Sequence, residues 1–226
     1  MFRTTGTLRY QHLLVNNHHN RQVVKSSALT ARMANYNHQP PTTYYEINLD
    51  HLVHNVVQLD RHVQHHARLS CNKRIDIMPV IKANAYGHGA TELAIELLEN
   101  ERSAPIVHRL AVNRVNEGVE LRKNLIAYEQ ERIRELRDYG LTVNERRSIS
   151  HVPIHILGYG LPHEMQQAAH YNLTPAIAEP ECLKAYCSAV TDARQCPHNS
   201  NATFSFHVKV DTGMGRFGLL PHEVLP

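Results

Sequence analysis

The chain has 226 residues, of which 42% are apolar and 20% are charged, a composition typical of folded globular proteins and not of disordered or fibrous ones. No stretch reaches the roughly 18 consecutive apolar residues of a membrane-spanning helix, and four cysteines are too few for a disulfide scaffold in a chain of this length. The net charge of +3 is small.

The first 45 residues differ in composition from the rest. They contain five basic residues and no Asp or Glu, and together with their many Asn, His and Thr residues this predicts a disordered extension over 1–43. Removing these five from the 24 basic residues leaves 19 basic against 21 acidic residues, so no basic surface for nucleic-acid binding is expected. The predicted location is cytoplasmic, and an acid-free, Arg- and Ser-containing N-terminus leaves a mitochondrial transit peptide open as the alternative.

After this extension, the sequence alternates between strand and helix patterns, which predicts an α/β fold with a parallel sheet. Tyr44–Leu49 is predicted to be extended. Asn48 or Asp50 can then cap a helix that ends near Ala67, because apolar residues recur there with a helical period.

Five apolar runs of strand length follow, and helical patterns separate them. The predicted strands are Ile75–Ile81, Ile106–Val112, Val152–Gly158, Thr174–Ala178 and Phe204–Val210. One predicted helix begins at Thr91. The other predicted helices are Asn116–Arg122, Pro162–Tyr171 and Glu181–Val190. The charged segment Lys123–Ser150 is predicted to be an insertion that lengthens one connection. Because helix-length connections join parallel strands, the pattern predicts five βα units.

The most specific motif directly follows the first predicted strand and reads Lys82-Ala-Asn-Ala-Tyr-Gly-His-Gly89. A lysine at the carboxyl end of an apolar strand lies where α/β barrels have their active sites, and its amine can act there as a nucleophile or a base. Taken alone, Lys82 could equally be an ordinary surface lysine.

The second motif follows the last predicted strand and reads Lys209-Val-Asp-Thr-Gly-Met-Gly-Arg-Phe-Gly218. Its glycines match the spacing of a dinucleotide-binding fingerprint, which also needs a following helix and an acidic residue about 20 positions later. Only eight residues follow Gly218, so this interpretation is rejected. Lys209 and Arg216 instead indicate an anion site, with a loop salt bridge as the alternative for Arg216.

Together, the two motifs resemble those of the alanine racemases, which are fold-type III pyridoxal phosphate enzymes. Shorter similarities occur in the same order as in that family: Tyr45-Glu-Ile-Asn-Leu-Asp50, Leu110-Ala-Val112, Ile156-Leu-Gly158 and Tyr171-Asn-Leu-Thr-Pro175. The resemblance covers about Tyr44 to Leu219. It implies an incomplete alanine racemase-like N-terminal domain over 44–226, a partial TIM-type (β/α) barrel of about five of the eight βα units.

The resemblance also implies roles for four residues, and no metal. Lys82 would hold pyridoxal 5'-phosphate as an internal aldimine and would be the base on one face of the substrate α-carbon. Tyr86 would reach the cofactor phosphate. Lys209 is similar to a lysine that is carbamylated in many members, and its carbamate would orient Arg216 toward the cofactor phenolic oxygen and the substrate carboxylate. Lys209 and Arg216 are expected side by side, facing the same pocket as Lys82.

The implied activity is the interconversion of L-alanine and D-alanine, in a family that forms homodimers. Family members are longer, and they contain a tyrosine base for the opposite face and phosphate-binding segments that have no counterpart in this sequence. Because racemisation needs a proton donor on each face, little or no racemase activity is expected of the isolated chain. A non-catalytic cofactor-binding protein or an inactive barrel fragment is the alternative function.

Overall fold

The computed structural model describes residues 47–70, 73–139, 147–195 and 202–224. The chain divides into two units, Met1–His51 and Leu52–Pro226. In the described part of the first unit, Oδ1 of Asn48 accepts the N–H of His51 at 3.0 Å and so caps the first helix. The predicted extension over 1–43 lies outside the described residues.

The described residues form helices of four to 24 residues and four short strands. The helices are α1 (Leu49–Ser70), α2 (Ala90–Glu99), α3 (Val115–Asp138), α4 (Met165–His170), α5 (Pro180–Ala193) and α6 (Pro221–Val224). The strands are β1 (Leu110–Val112), β2 (Ile154–Tyr159), β3 (Thr174–Ile177) and β4 (His207–Val208). A 3₁₀ turn, Pro162–Glu164, precedes α4. None of the described helices is both long and apolar enough to cross a membrane.

The four strands form one parallel sheet in the order β1-β2-β3-β4. The first predicted strand, Ile75–Ile81, lies beside β1. Two parallel bridges connect them: Val80 pairs with Ala111 in β1, and Ile77 pairs with Val107, three residues before β1. Five parallel segments therefore follow one another in chain order, and the predicted α/β fold with a parallel sheet is confirmed. This sequential order is that of a (β/α) barrel, whereas a doubly wound sheet reverses its strand order at a switch point.

Helices α3, α4 and α5 pack against one face of the sheet. Ile154 and Ile156 of β2 are buried on that face, and α3 approaches so closely that a Cβ on Gly118 would lie 3.0 Å from side-chain atoms of Ile156 and Leu173. Because side chains alternate along a strand, His155 and Leu157 point to the opposite face. The sheet thus has a helix-covered face, which forms the core, and a second face that carries polar side chains.

Helix α3 is longer than the sequence predicts. It continues through the charged segment to Asp138 instead of ending at Arg122. Its second half is held by polar contacts: Glu129 accepts the N–H of Ile149 at 3.0 Å, and Arg132 forms an ion pair with Glu99 of α2. Charged residues that are paired in this way can be buried, so the segment packs against the domain although its sequence is polar.

Arg122 fixes α3 to the amino ends of two strands. Its buried guanidinium donates to the carbonyls of Ser150, which lies before β2, and of Tyr171 and Asn172, which lie before β3, at 2.6–3.1 Å. Burial lowers the pKa of Arg122 to about 10, so the side chain still carries its charge at neutral pH. Three charge-assisted hydrogen bonds therefore anchor these connections.

We predict that Arg122→Met destabilises the domain by about 3 kcal/mol, because one buried and two part-buried carbonyls lose a charged donor. The measurement is urea unfolding of the full chain followed by circular dichroism. Arg137→Met, which changes an exposed arginine in the last turn of the same helix, is the control and should change stability by less than about 0.5 kcal/mol. Equal effects of the two substitutions would contradict the anchoring role.

Candidate active site

The first residues of the two sequence motifs, Lys82 and Lys209, lie at the carboxyl ends of parallel segments. Lys82 directly follows Ile81, whose N–H donates to the carbonyl of Ala111 in β1 at 2.8 Å. Lys209 directly follows β4, and its N–H donates to the carbonyl of Ile177 at the end of β3, also at 2.8 Å. Active sites of (β/α) barrels form at this edge because the loops that leave the strands converge there.

The segment Lys82–Tyr86, which we call the lysine turn, is left-handed. Ala83, Asn84, Ala85 and Tyr86 all have φ between 51° and 56°. Left-handed backbone costs roughly 1–2 kcal/mol per residue for side chains other than glycine, so four such residues in succession need support from their surroundings. Part of this support is local, since Oδ1 of Asn84 accepts the N–H of Ala90 at 2.8 Å at the start of α2.

Backbone hydrogen bonds within residues 81–89 add to this support, and a carboxylate from α3 supports the turn from another part of the fold. Oε1 of Glu117 accepts the N–H of Ala83 at 2.9 Å, and Oε2 accepts the N–H groups of Asn113 and Arg114 at 2.7 Å and 3.1 Å. Glu117 therefore joins the lysine turn to the loop after β1. Glu117 is not among the residues predicted from the sequence, although a glutamate three positions after Arg114 has the spacing of a helix N-terminal cap.

The side chain of Lys82 is half-buried, and its amine lies 5.9 Å from the centroid of the Tyr86 ring. In the described parts of the chain, this amine has no carboxylate partner and no hydrogen-bond acceptor. The Tyr86 side chain is 63% exposed. The structure thus brings Lys82 and Tyr86 together and leaves both functional groups available to a ligand.

Lys209 is used differently. Its Nζ donates to the carbonyl of Leu157 in β2 at 3.0 Å, across the face of the sheet that the helices leave uncovered. The pairing of β2 with β3 is irregular between His155 and Tyr159, and this bulge takes Leu157 out of the regular ladder. The lysine amine therefore donates to a carbonyl in the irregular part of β2.

The glycine-rich loop after β4 is closed by its own backbone and by Asp211. One oxygen of Asp211 accepts the N–H groups of Gly213 and Gly215 at 2.9 Å and 3.0 Å, and these hydrogen bonds hold the pKa of Asp211 below its usual value. Gly218 has φ of +129°, and its α-carbon lies so close to the backbone of Asp211 that a side chain would clash. The loop thus has one compact shape that requires glycine at this position.

Arg216 lies in this loop and is exposed. Its contacts in the described structure stay within the loop, with Sδ of Met214 at 3.4 Å and the Phe217 ring at 5.8 Å. Phe217 stacks on Tyr159 at the end of β2, with ring centroids 6.1 Å apart. The structure therefore fixes the loop beside β2, but the described contacts do not bring Arg216 together with Lys209 or Lys82.

Two histidines meet on the same uncovered face of the sheet. Nδ1 of His155 in β2 lies 2.6 Å from Nε2 of His207 in β4, a distance at which one ring must donate and the other must accept. His155 is buried, and burial, with the charges of His207 and Arg109, lowers its pKa to about 4. This pair is not predicted from the sequence, because it depends on the register of strands whose histidines are 52 residues apart.

Comparison with known proteins identifies the family. The family model "Alanine racemase, N-terminal domain" matches residues 47–226. The chain belongs to the alanine racemase family. It is 34% identical over 179 residues to the alanine racemase of Carboxydothermus hydrogenoformans, covering 79% of this chain and 36% of the relative. Alanine racemase 1 of Clostridium acetobutylicum is 33% identical over 178 residues, with 79% and 34% covered.

Solved structures agree with the fold of this family. An alanine racemase of Clostridium difficile in complex with cycloserine is 27% identical, with a TM-score of 0.50 and coverage of 78% of this chain and 36% of that one. The alanine racemase of Streptomyces lavendulae, at 22% identity and a TM-score of 0.51, supports the fold alone. Alanine racemases are pyridoxal phosphate-dependent barrel enzymes. The chain spans about a third of the length of the curated alanine racemases that it matches.

We predict that the histidine pair makes the domain less stable in mild acid. An unfolded histidine has a pKa near 6.5, so protonation between about pH 6.5 and the lowered pKa of His155, about 4, favours the unfolded chain. The free energy of unfolding, measured with urea, should decrease between pH 7 and pH 5. This decrease should be about 1–2 kcal/mol smaller in His155→Leu than in the unmodified chain.

The control is His163→Leu, which changes an exposed histidine in the 3₁₀ turn. This variant should keep the pH dependence of the unmodified chain. An unchanged difference between pH 7 and pH 5 in His155→Leu would show that the pair does not titrate as described.

Proposed function

We propose that this chain forms the cofactor-binding part of a pyridoxal phosphate-dependent alanine racemase, in which Lys82 holds the cofactor. The observation that carries this proposal is the lysine amine at the carboxyl edge of the sheet in a chain of this family. That amine has no acceptor or ionic partner in the described structure and lies beside an exposed tyrosine.

The residues at this edge fit pyridoxal phosphate chemically. The cofactor has an aldehyde, which reacts with a primary amine, and a phosphate, which binds hydrogen-bond donors. Lys82 provides an amine that no carboxylate neutralises in the described structure. Tyr86 provides a hydroxyl on a side chain that is 63% exposed, and we assign it to the phosphate.

When bound, the cofactor supplies an electron sink that makes the α-proton of an amino acid acidic. Once the substrate amine has displaced it from the cofactor, the amine of Lys82 would accept this proton on one face of the α-carbon, or deliver a proton there in the reverse direction. The rigid lysine turn keeps the amine in one position during both transfers. Proton transfer from such a positioned base contributes about 10²–10⁴-fold to a rate.

Arg216 is the proposed anchor for the substrate carboxylate, because a guanidinium binds a carboxylate through two parallel hydrogen bonds. In the described structure no carboxylate pairs with it; its guanidinium donates to Met214 and lies near the Phe217 ring. Asp211 and Gly218 hold the loop that carries it. Together with membership of the alanine racemase family, this leads us to propose alanine as the substrate.

Lys209 is the proposed site of a carbamate. To be carbamylated, its amine would have to leave the carbonyl of Leu157. The product would carry a negative charge on the same face of the sheet. Such a charge could attract Arg216, which has no acidic contact in the described structure.

The experiment that tests this function locates the lysine that binds the cofactor. The full chain is mixed with pyridoxal phosphate, absorbance is recorded, and borohydride reduction followed by mass spectrometry identifies the modified residue. We expect modification at Lys82 and its loss in Lys82→Ala. Racemisation of alanine is measured in parallel, and little or no turnover is expected, because Lys82 can transfer a proton on only one face of the α-carbon.

The matched control is Lys123→Ala. Lys123 is an exposed lysine of α3 whose amine lies 5.3 Å from the Tyr171 ring, so it repeats the lysine–tyrosine proximity away from the site. This variant should be modified at Lys82 as efficiently as the unmodified chain. Attachment at Lys209, or equal labelling of many lysines, would contradict the assignment.

A further inference from the structure

We propose that Glu117 is a positioning residue for Lys82. Its carboxylate would hold the lysine turn against the loop after β1, and so fix the direction in which the lysine amine points. The functional value of this role rests on the proposed function of Lys82. Nothing in the lysine motif itself identifies Glu117, which lies 34 residues away from Ala83 in the sequence.

The described contacts of Glu117 are unusual for an acidic residue in the first turn of a helix. All three partners are backbone N–H groups, and both carboxylate oxygens are used. Two of these groups, from Asn113 and Arg114, precede α3 and belong to its own cap. The third belongs to Ala83, in a different βα unit, and a helix cap does not require it.

The bond to Ala83 acts on the peptide that joins it to Lys82. Because a peptide group is planar, fixing the N–H of Ala83 also fixes the carbonyl of Lys82 and restricts the backbone from which the lysine side chain departs. Ala83 is also the first of the four left-handed residues. A hydrogen bond at this point therefore holds the turn where the strain begins.

Electrostatics favours a carboxylate here. Glu117 lies in the first turn of the 24-residue helix α3, where the helix dipole stabilises negative charge. Hydrogen bonds from N–H groups to an ionised acceptor are stronger than those between neutral groups. One glutamate side chain thus accepts hydrogen bonds from backbone N–H groups of both the helix N-terminus and the lysine turn.

Two substitutions separate the positioning role from the capping role. Glu117→Asp keeps the charge at the helix N-terminus, but the side chain is shorter by one methylene group and cannot reach both sets of donors. Glu117→Gln keeps the length, but it has one accepting oxygen, and its amide nitrogen must face an N–H group. Glu120→Gln, at an exposed position one turn further along α3, is the matched control.

The first measurement is hydrogen exchange by mass spectrometry on the full chain without cofactor, using peptides that cover residues 82–90. We expect exchange in the lysine turn to be at least about tenfold faster in both Glu117 variants and unchanged in Glu120→Gln. Glu117→Asp should keep the protection of the first turn of α3. Unchanged exchange in the turn, or an increase that is equal throughout the chain, would overturn the proposal.

The second measurement is the rate at which pyridoxal phosphate attaches to Lys82, followed by borohydride trapping. We expect a decrease of about tenfold or more in both variants, with labelling of Lys123 as the internal reference. An unchanged rate at Lys82 would overturn the positioning role. If the unmodified chain does not attach the cofactor, the proposed function fails, and the exchange experiment still decides whether Glu117 holds the turn.

Discussion

Four consecutive left-handed residues after Lys82 are the constraint on which the candidate site depends. At roughly 1–2 kcal/mol each, their cost is comparable with the whole stability of an ordinary domain, about 5–15 kcal/mol. The turn therefore exists only because other parts of the fold hold it. Asn84 connects its middle to the start of α2, and Glu117 connects its beginning to the loop after β1. Strain of this kind, held by its surroundings, is characteristic of functional sites.

The parallel sheet supplies the frame for these contacts. Since consecutive strands are neighbours and point the same way, the loops that follow them must meet at one edge. The lysine turn and the glycine-rich loop, which are more than 100 residues apart in the sequence, consequently both lie at this edge. At the opposite edge, Arg122 holds the connections that enter β2 and β3. The candidate active-site residues thus lie at one end of the sheet and the stabilising contacts of Arg122 at the other, as in complete barrels.

Sequence patterns predicted the elements whose formation depends mainly on residues close together in the sequence. Apolar runs identified the five parallel segments, and the connections between them identified the sheet as parallel. The lysine turn could not be predicted in this way, because alanine favours right-handed helix and only Asn84 and the glycines indicate left-handed backbone. The contacts of Glu117 with Ala83 and of His155 with His207 depend on strand register. The polar second half of α3 is ordered by Glu129 and Arg132, whose partners are distant in the sequence.

The two motif lysines show why residue type alone does not define a role. The amine of Lys209 donates to the carbonyl of Leu157, and moving it away would leave that carbonyl without its donor, which is costly on a partly buried surface. Lys82 has no such acceptor in the described structure; its amine lies over the Tyr86 ring, 5.9 Å from the centroid. A ligand can therefore engage Lys82 without breaking an existing hydrogen bond. The two amines thus differ in one contact: the carbonyl of Leu157 engages Lys209, and no acceptor in the described structure engages Lys82.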